Sequence, residues 1–130
     1  MIVIDSSALV AILNDEPERR RFIGIIVDHG DARISAPTYL ETSRVMELRI
    51  GHRAGRELDT LLANVCIAII PFDHAQAKIA RDAFRRYGKG LHAAALNFGD
   101  CFSDALAKWL GAPLLFKGND FGLTDIKSAL

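Results

Sequence analysis

The sequence has 130 residues, half of them hydrophobic, with 16 basic and 16 acidic side chains and a formal net charge of zero. A chain of this length accommodates one domain, here over residues 1–130, and leaves no room for a second. The balanced charge excludes a global field that attracts nucleic acid or an anionic membrane, so any RNA contact must come from a local patch.

The first segment, MIVIDSSALVAIL, predicts a strand that passes through a tight turn into a helix. Residues 2–4 are β-branched, Asp5-Ser6-Ser7 ends the run, and apolar residues then recur at helical spacing. The segment contains Asp5 and has no basic region before its apolar part. It therefore fits neither a signal peptide nor a membrane span.

The following elements alternate between helix and strand. We predict a helix over residues 16–28 with an apolar side made by Phe22, Ile23, Ile26 and Val27, a weak strand over 33–36, and helices over 37–50 and 53–64. Residues 65–70 form a continuous apolar run that is typical of a parallel strand covered on both faces.

The remaining segments continue the alternation. They predict a helix over 74–87, a loop over 88–97, a helix over 100–110, a buried strand over 113–116 and a turn-rich end over 117–130. Strands and helices that alternate with short connections predict a three-layer α/β/α sandwich around a mostly parallel central sheet.

Two cysteines, Cys66 and Cys101, both lie within apolar periodic segments. This setting favours reduced, packed thiols over a disulfide or a zinc site. It indicates a reducing compartment, so we expect a cytoplasmic protein.

Acidic side chains come directly after two of the predicted strands. Asp5 follows the first strand, and Asp120 lies in the turn KGNDF after the last one. Ligands of parallel sheets bind beyond the carboxyl ends of the strands, which favours a site at these positions. A structural interpretation stays open for both, since Asp5 fits a helix N-cap and Asp120 fits an Asx turn.

Glu41 lies one turn into a predicted helix, on the stripe that includes Val45 and Leu48. Helical spacing makes this stripe the apolar side of the helix. A carboxylate that points inward needs a partner, which is either a metal ion or an ion pair with Arg44.

Asp100 follows Gly99 at the start of a predicted helix, and Asp104 stands one turn later on the same side. Asp100 fits a cap that the helix macrodipole stabilises. However, two like charges at this spacing disfavour the helix, and a nearby cation removes the conflict.

Four acids, Asp5, Glu41, Asp100 and Asp120, thus converge on one rim of the predicted sheet without a clear basic partner. Their mutual repulsion raises their pKa values unless a divalent cation keeps them ionised. Oxygen ligands without a His or Cys cluster favour Mg²⁺ or Mn²⁺ over zinc. Such a cation activates water for attack on a phosphodiester, so the set indicates phosphate chemistry.

The sequence resembles PIN domains, and specifically the VapC-type toxins of bacterial type II toxin–antitoxin pairs, over almost its whole length. The segments that carry the resemblance are IVIDSSALVAIL, ISAPTYLETSRV around Glu41, and NFGDCFSDALAKWLGAPLLFKGNDF around Asp100 and Asp120. The resemblance implies a metal-dependent endoribonuclease in which Asp5, Glu41 and Asp100 match the three best-kept acids of the family. Ser7 matches a small hydroxyl position that supports the first acid.

The family pattern and this sequence differ at the fourth acid. In many relatives an aspartate stands at the place of Gly118, after a threonine at the place of Phe116, whereas the nearest acid here is Asp120. We favour Asp120 as the fourth acid, and Asp104 is the alternative.

The resemblance also implies partners: an RNA substrate, a homodimer, and an antitoxin that inserts a basic segment into the acidic cleft. Such sites contact mainly phosphates, so we expect RNA shape or single-stranded loops to determine which RNA is cleaved. The candidate RNA-contacting residues are Arg19, Arg20, Arg21, Arg44, Arg49, Arg53, Arg56, Arg85 and Arg86.

Two other functions remain as alternatives. A receiver-type signalling domain also places acids at strand ends, which Asp5, Asp73 and Lys117 imitate, but receivers have adjacent acids after the first strand, where this chain has Ser6 and Ser7. A non-catalytic interaction module, whose acids only cap helices and bind a basic partner, is the second.

Overall fold

The computed structural model describes residues 1–130. Its elements, in chain order, are β1 (Ile2–Ile4), α1 (Ser6–Leu13), α2 (Arg19–His29), β2 (Ala32–Ser35), α3 (Ala36–Ile50), α4 (Arg53–Asn64), β3 (Ile67–Ile70), α5 (His74–Tyr87), α6 (Phe98–Leu110), β4 (Leu114–Leu115) and a 3₁₀ turn (Phe121–Leu123).

The four strands form one parallel sheet in the order β3-β2-β1-β4. The chain moves outward from β1 to β2 and β3, and then returns to the other side of β1 to add β4. The direction of the connections therefore changes at β1. In parallel sheets this switch point opens a crevice at the carboxyl ends of the strands, which is where Asp5 lies.

Two apolar cores cover the two faces of the sheet. Ile2 and Ile4 of β1 pack with residues of α1, α2 and α4 on one face. Val3 and Leu114 pack with residues of α5 and α6 on the other. The predicted three-layer α/β/α sandwich is confirmed, and the sheet is parallel throughout.

Strand β3 differs from its prediction. It lies at one edge of the sheet, where Ala68 and Ile69 are exposed, so the expectation of a strand covered on both faces was wrong. An apolar run does not distinguish an edge strand from a central one. Similarly, α2 begins at Arg19, three residues later than predicted, and Val27 is exposed rather than part of its apolar side.

The other edge of the sheet is β4, and the end of the chain covers it. The backbone N–H of Leu114 donates to Lys127 O, and the N–H of Ala129 donates to Leu114 O. These bonds form an isolated parallel bridge between Leu114 and Ser128. The outer edge of β4 is thus paired with residues 127–129.

The two thiols have different surroundings. Cys101 is buried, as predicted, but Cys66 is exposed in the turn between α4 and β3, where its backbone has a φ of 54°. Neither forms a disulfide. The expectation that Cys66 is packed was therefore wrong, because the turn directs it away from the core. None of the helices is both long enough and apolar enough to cross a membrane.

Candidate active site

Asp5 lies at the junction of β1 and α1, where it caps the helix. Its Oδ2 accepts a hydrogen bond from the backbone N–H of Ser7 at 3.0 Å, and its Oδ1 accepts one from the Ser103 hydroxyl at 2.6 Å. The residue is only 2 % exposed. Burial raises the pKa of Asp5, while the hydrogen bonds from Ser103 and Ser7 act in the opposite direction.

A short chain of hydroxyl groups supports this carboxylate. The Ser103 hydroxyl of α6 donates its proton to Asp5, so the Thr38 hydroxyl of α3, 3.3 Å away, donates to Ser103. Both hydroxyl groups are buried. Sequence analysis missed Ser103 and Thr38; the signal that it could have used is a hydroxyl residue within the buried face of each helix.

Ser7 connects the first helix to the segment that follows β4. Its hydroxyl accepts a hydrogen bond from the backbone N–H of Lys117 at 3.0 Å. The contact joins the loop that contains Asp120 to the turn that contains Asp5.

Asp100 lies in the first turn of α6, which begins two residues before its predicted start. Asn97 is the N-cap, and its side chain accepts from the Asp100 N–H at 2.9 Å while Asp100 Oδ2 accepts from the Asn97 N–H at 3.0 Å. This reciprocal pair is a capping box. Asp100 therefore supports the cap, rather than acting as the N-cap itself.

The pKa of Asp100 is strongly raised in the folded protein. Burial raises the pKa of Asp100 to about 7, and the negative charges of Asp5 and Asp120 contribute to the increase. The Asn97 backbone bond opposes it. Asp5 lies after β1 and Asp120 after β4, so the carboxyl ends of these adjacent strands bring both acids to α6.

Glu41 reaches the same region from α3 and packs against Gly99. A Cβ atom at residue 99 would lie 1.8 Å from Glu41 Oε2, so the carboxylate occupies the space that a side chain there would fill. Glu41 thus lies beside the first turn of α6, next in sequence to Asp100. Gly99 is a second residue that sequence analysis missed, because a glycine in a helix start carries no chemistry of its own.

The predicted apolar stripe of α3 was wrong. Leu48 is 77 % exposed, and the buried residues of this helix are Thr38, Thr42, Ser43 and Met46. The hydroxyl residues make this face suitable for burial because Thr42 and Ser43 donate to backbone carbonyls one turn earlier. Arg44 is exposed and takes part in none of the ion pairs.

Comparison with known proteins identifies the family of this chain. The sequence pattern of the PIN domain matches residues 2–127. The chain belongs to the PIN domain family. A receiver-type domain, the first alternative, is therefore excluded.

The relatives and solved structures agree with this assignment. The chain is 54 % identical to a ribonuclease VapC of Mycolicibacterium smegmatis over 96 % of its length and 97 % of the relative's. It is 50 % identical to ribonuclease VapC30 of Mycobacterium tuberculosis, over 96 % and 95 % of the two chains. The solved structure of Mycobacterium tuberculosis VapC20 is described as that of a sarcin–ricin loop cleaving toxin. It superposes with a TM-score of 0.79 at 16 % identity, and the match covers 97 % of this chain and 96 % of VapC20. FitAcB of Neisseria gonorrhoeae gives 0.66 at 21 %, covering 98 % and 96 %.

The two candidates for the fourth acid of this PIN domain have different surroundings. Asp104 is fully buried, and its Oδ1 lies 3.0 Å from Lys108 Nζ, which also contacts Asp125 at 3.0 Å. The Lys108 contact is off the direction of a hydrogen bond, and Asp104 Oδ2 has no donor. Burial raises the pKa of Asp104, and Lys108 opposes the increase. Asp120 is exposed and lies beside Asp100.

The acids of the PIN domain suit a hard cation in their chemistry. Asp5, Glu41, Asp100 and Asp120 take part in none of the ion pairs, and all offer carboxylate oxygen. In their present positions, no three His, Cys, Asp or Glu side chains lie close enough to hold one ion. Mg²⁺ is usually held by one or two carboxylates and several waters, so a pair of these acids meets its requirement.

Proposed function

We propose that this PIN domain is the toxin of a toxin–antitoxin pair, an endoribonuclease that hydrolyses RNA phosphodiester bonds with Mg²⁺ or Mn²⁺. Its relatives are named ribonucleases, and the chain matches them over nearly their full length, which supports this activity. The observation that carries the proposal is the convergence of Asp5, Asp100 and Asp120 without a basic partner; burial first, and then the charges of Asp5 and Asp120, raise the pKa of Asp100. A divalent cation at this rim would offset the repulsion between the carboxylates and favour their ionised form.

In this proposal Asp5, Glu41 and Asp100 form the metal site, in which a pair of these acids contacts the ion directly and water molecules complete its ligands. When bound there, a divalent cation would supply a water molecule of lowered pKa and positive charge beside the phosphate. The Ser103 hydroxyl and the Ser7 N–H orient the Asp5 carboxylate. Asp120 lies beside Asp100, which supports its role as the fourth acid and as an acceptor that positions the attacking water.

The proposal includes three partners: RNA, an antitoxin and a second copy of the chain. A rim of carboxylates without cations attracts a basic segment, which supports an antitoxin that occupies the site. Leu40 and Leu48 are 68 % and 77 % exposed on α3, and apolar side chains of this size at a surface support a homodimer. Cellular RNA as the substrate places the activity in the cytoplasm.

Cleavage of RNA with and without EDTA tests the function. We expect the parent to cleave single-stranded RNA in Mn²⁺ or Mg²⁺, and EDTA to abolish the cleavage. The Asp5→Asn variant is expected to be inactive, whereas Asp28→Asn, a matched change at an exposed residue of α2, keeps the activity. Activity of Asp5→Asn equal to that of Asp28→Asn would leave the acids as helix caps in a non-catalytic module.

Calorimetry with Mn²⁺ tests the metal assignment without any RNA. We expect Asp100→Asn to bind the ion much more weakly than the parent. The fold is retained, because an Asn side chain at this position can still accept from the Asn97 N–H. Binding as tight as that of the parent would reduce Asp100 to its part in the capping box.

A further inference from the structure

A second candidate site lies on the face of the sheet covered by α1, α2 and α4. It is a cleft of about 500 Å³ with an apolar floor and polar walls. The floor is formed by Ile12, Leu13 and Leu61. The walls are formed by Arg19, Arg53, Arg56, Glu57, Thr60 and Asn64.

The cleft is positively charged in a protein with no net charge. Three arginines line it, against the single carboxylate of Glu57. Arg53 and Arg56 are exposed and take part in none of the ion pairs, so their guanidinium groups are free to bind a ligand. Guanidinium groups bind phosphate through pairs of parallel hydrogen bonds, and Thr60 and Asn64 add further donors.

The third arginine is already held in place. Arg19 donates to the carbonyl oxygen of Ile12, and its Nε lies 3.8 Å from Asp15 Oδ1. Both contacts fix its position at the junction of α1 and α2. Because the side chain is preorganised, a ligand at this wall does not have to order it.

Helix α1 connects the cleft to the acidic rim. Asp5 caps the start of α1, and Ile12 and Leu13 at its end line the cleft. The eight residues of this helix span about 12 Å at about 1.5 Å per residue, which sets the separation of the two sites along α1.

Lys117 reduces the negative charge of the segment between the two sites. Glu16 and Glu18 follow α1, and both carboxylates contact the ammonium group of Lys117. The backbone of Lys117 is itself bound to Ser7 at the rim. A strand of RNA that leaves the acids along α1 therefore passes two glutamates whose combined charge is halved by Lys117 before it reaches three arginines.

We propose that the cleft of Arg19, Arg53 and Arg56 binds the phosphodiester backbone of the RNA substrate, one length of α1 away from the acids at the rim. The proposal rests on the proposed ribonuclease function. Phosphate contacts give affinity and register without reading bases, so the cleft would bind RNA of any sequence. An acidic protein segment is the other polyanion that three arginines attract, and the experiment below separates the two.

The test compares two double variants. Arg53→Gln/Arg56→Gln removes two cationic groups from the cleft, and Lys89→Gln/Lys127→Gln removes two exposed lysines that do not line it. Binding of a fluorescent 12-nucleotide RNA is measured by anisotropy in EDTA, so that cleavage does not interfere. We expect the cleft variant to bind RNA roughly tenfold or more weakly than the parent. The slope of log K against log salt concentration is expected to become shallower by about 1.4, which is about 0.7 for each lost phosphate contact. The matched variant is expected to change little.

Two readouts separate this proposal from the ribonuclease function. Bis(p-nitrophenyl) phosphate is too short to reach the cleft, so we expect the cleft variant to hydrolyse this compound at the same rate as the parent. For long RNA, we expect the KM of the cleft variant to rise and its kcat to stay unchanged. A parent that cleaves neither substrate in Mn²⁺ refutes the ribonuclease function, and RNA binding then still tests the cleft. Equal RNA affinity of the two double variants overturns the proposal. The proposal is also overturned if an oligoglutamate peptide binds the cleft more tightly than RNA does. Such a peptide would compete with RNA for the parent but not for the cleft variant.

Discussion

The carboxylate of Glu41 lies against the backbone of Gly99, in the space where a side chain at residue 99 would begin. The distance of 1.8 Å between Glu41 Oε2 and such a Cβ atom leaves no room for even a methyl group. Helix α3 can therefore place the Glu41 carboxylate beside the first turn of α6 only because residue 99 has no side chain.

We expect Gly99→Ala to reduce RNA cleavage by about a hundredfold, comparable to the loss of one preorganised charged group, because the methyl group displaces the Glu41 carboxylate. Stability is expected to change little. Alanine favours the helix by about 0.5–1 kcal/mol over glycine, and the displaced group is the flexible end of a side chain. Thermal melting and cleavage rates measure the two effects.

Gly24→Ala is the matched control for this substitution. It also replaces a helical glycine, but a Cβ there meets nothing within 4 Å. We expect this variant to gain about 0.5–1 kcal/mol and to keep full activity. A Gly99→Ala protein that is as active as Gly24→Ala would show that Glu41 has no role at its present position.

We expect Ser103→Ala to destabilise the fold by about 1.5–3 kcal/mol, since it removes a buried hydrogen bond to the Asp5 carboxylate. Mn²⁺ affinity is expected to fall by about 10–100-fold, as for other groups that orient a metal ligand. Denaturant unfolding and calorimetry measure these changes, with exposed Ser128→Ala as the control. Unchanged Mn²⁺ binding would restrict Ser103 to a structural role.

Asp120→Asn and Asp104→Asn are expected to differ in turnover. Asp120 lies beside Asp100, so its loss is expected to lower the turnover of bound RNA by about a hundredfold. Asp104 contacts Lys108 instead, and its loss is expected to cost far less. Equal activity of Asp120→Asn and the parent across a Mn²⁺ titration would leave a site of three carboxylates.

Stability of the metal-free protein is expected to fall as the pH rises from about 4 to about 7. The pKa of Asp100 is raised from 3.8 to about 7 in the folded protein, so over this range the folded state binds a proton that the unfolded state has lost. Deprotonation then favours unfolding. Melting in EDTA near pH 5 and pH 8 is expected to show a larger fall for the parent than for Asp100→Asn, and Mn²⁺ is expected to restore the parent at about pH 8. A parallel pH response in both proteins would contradict the assignment.

The sequence predicted the sandwich because strand and helix periods alternate clearly, and because acids after β1 and β4 must share one edge of a parallel sheet. It did not predict that β3 is an edge strand, since the order of strands depends on contacts between distant segments. The hydrogen bond from Ser103 to Asp5 was missed for the same reason, because the two residues are 98 positions apart and share no local pattern. Asp104 was ambiguous because Lys108, one turn later, was not recognised as its partner.

Pairing of residues 127–129 with Leu114 leaves the sheet with one open edge, at β3. An unpaired edge is a template for another strand, and Ile69 gives this one an exposed apolar side chain. Any chain that extends the sheet must therefore add at β3, on the far side of β2 from the acids. Removal of the last four residues would expose the outer edge of β4, the strand that precedes Asp120. Aggregation through this edge and loss of the active site would then occur together.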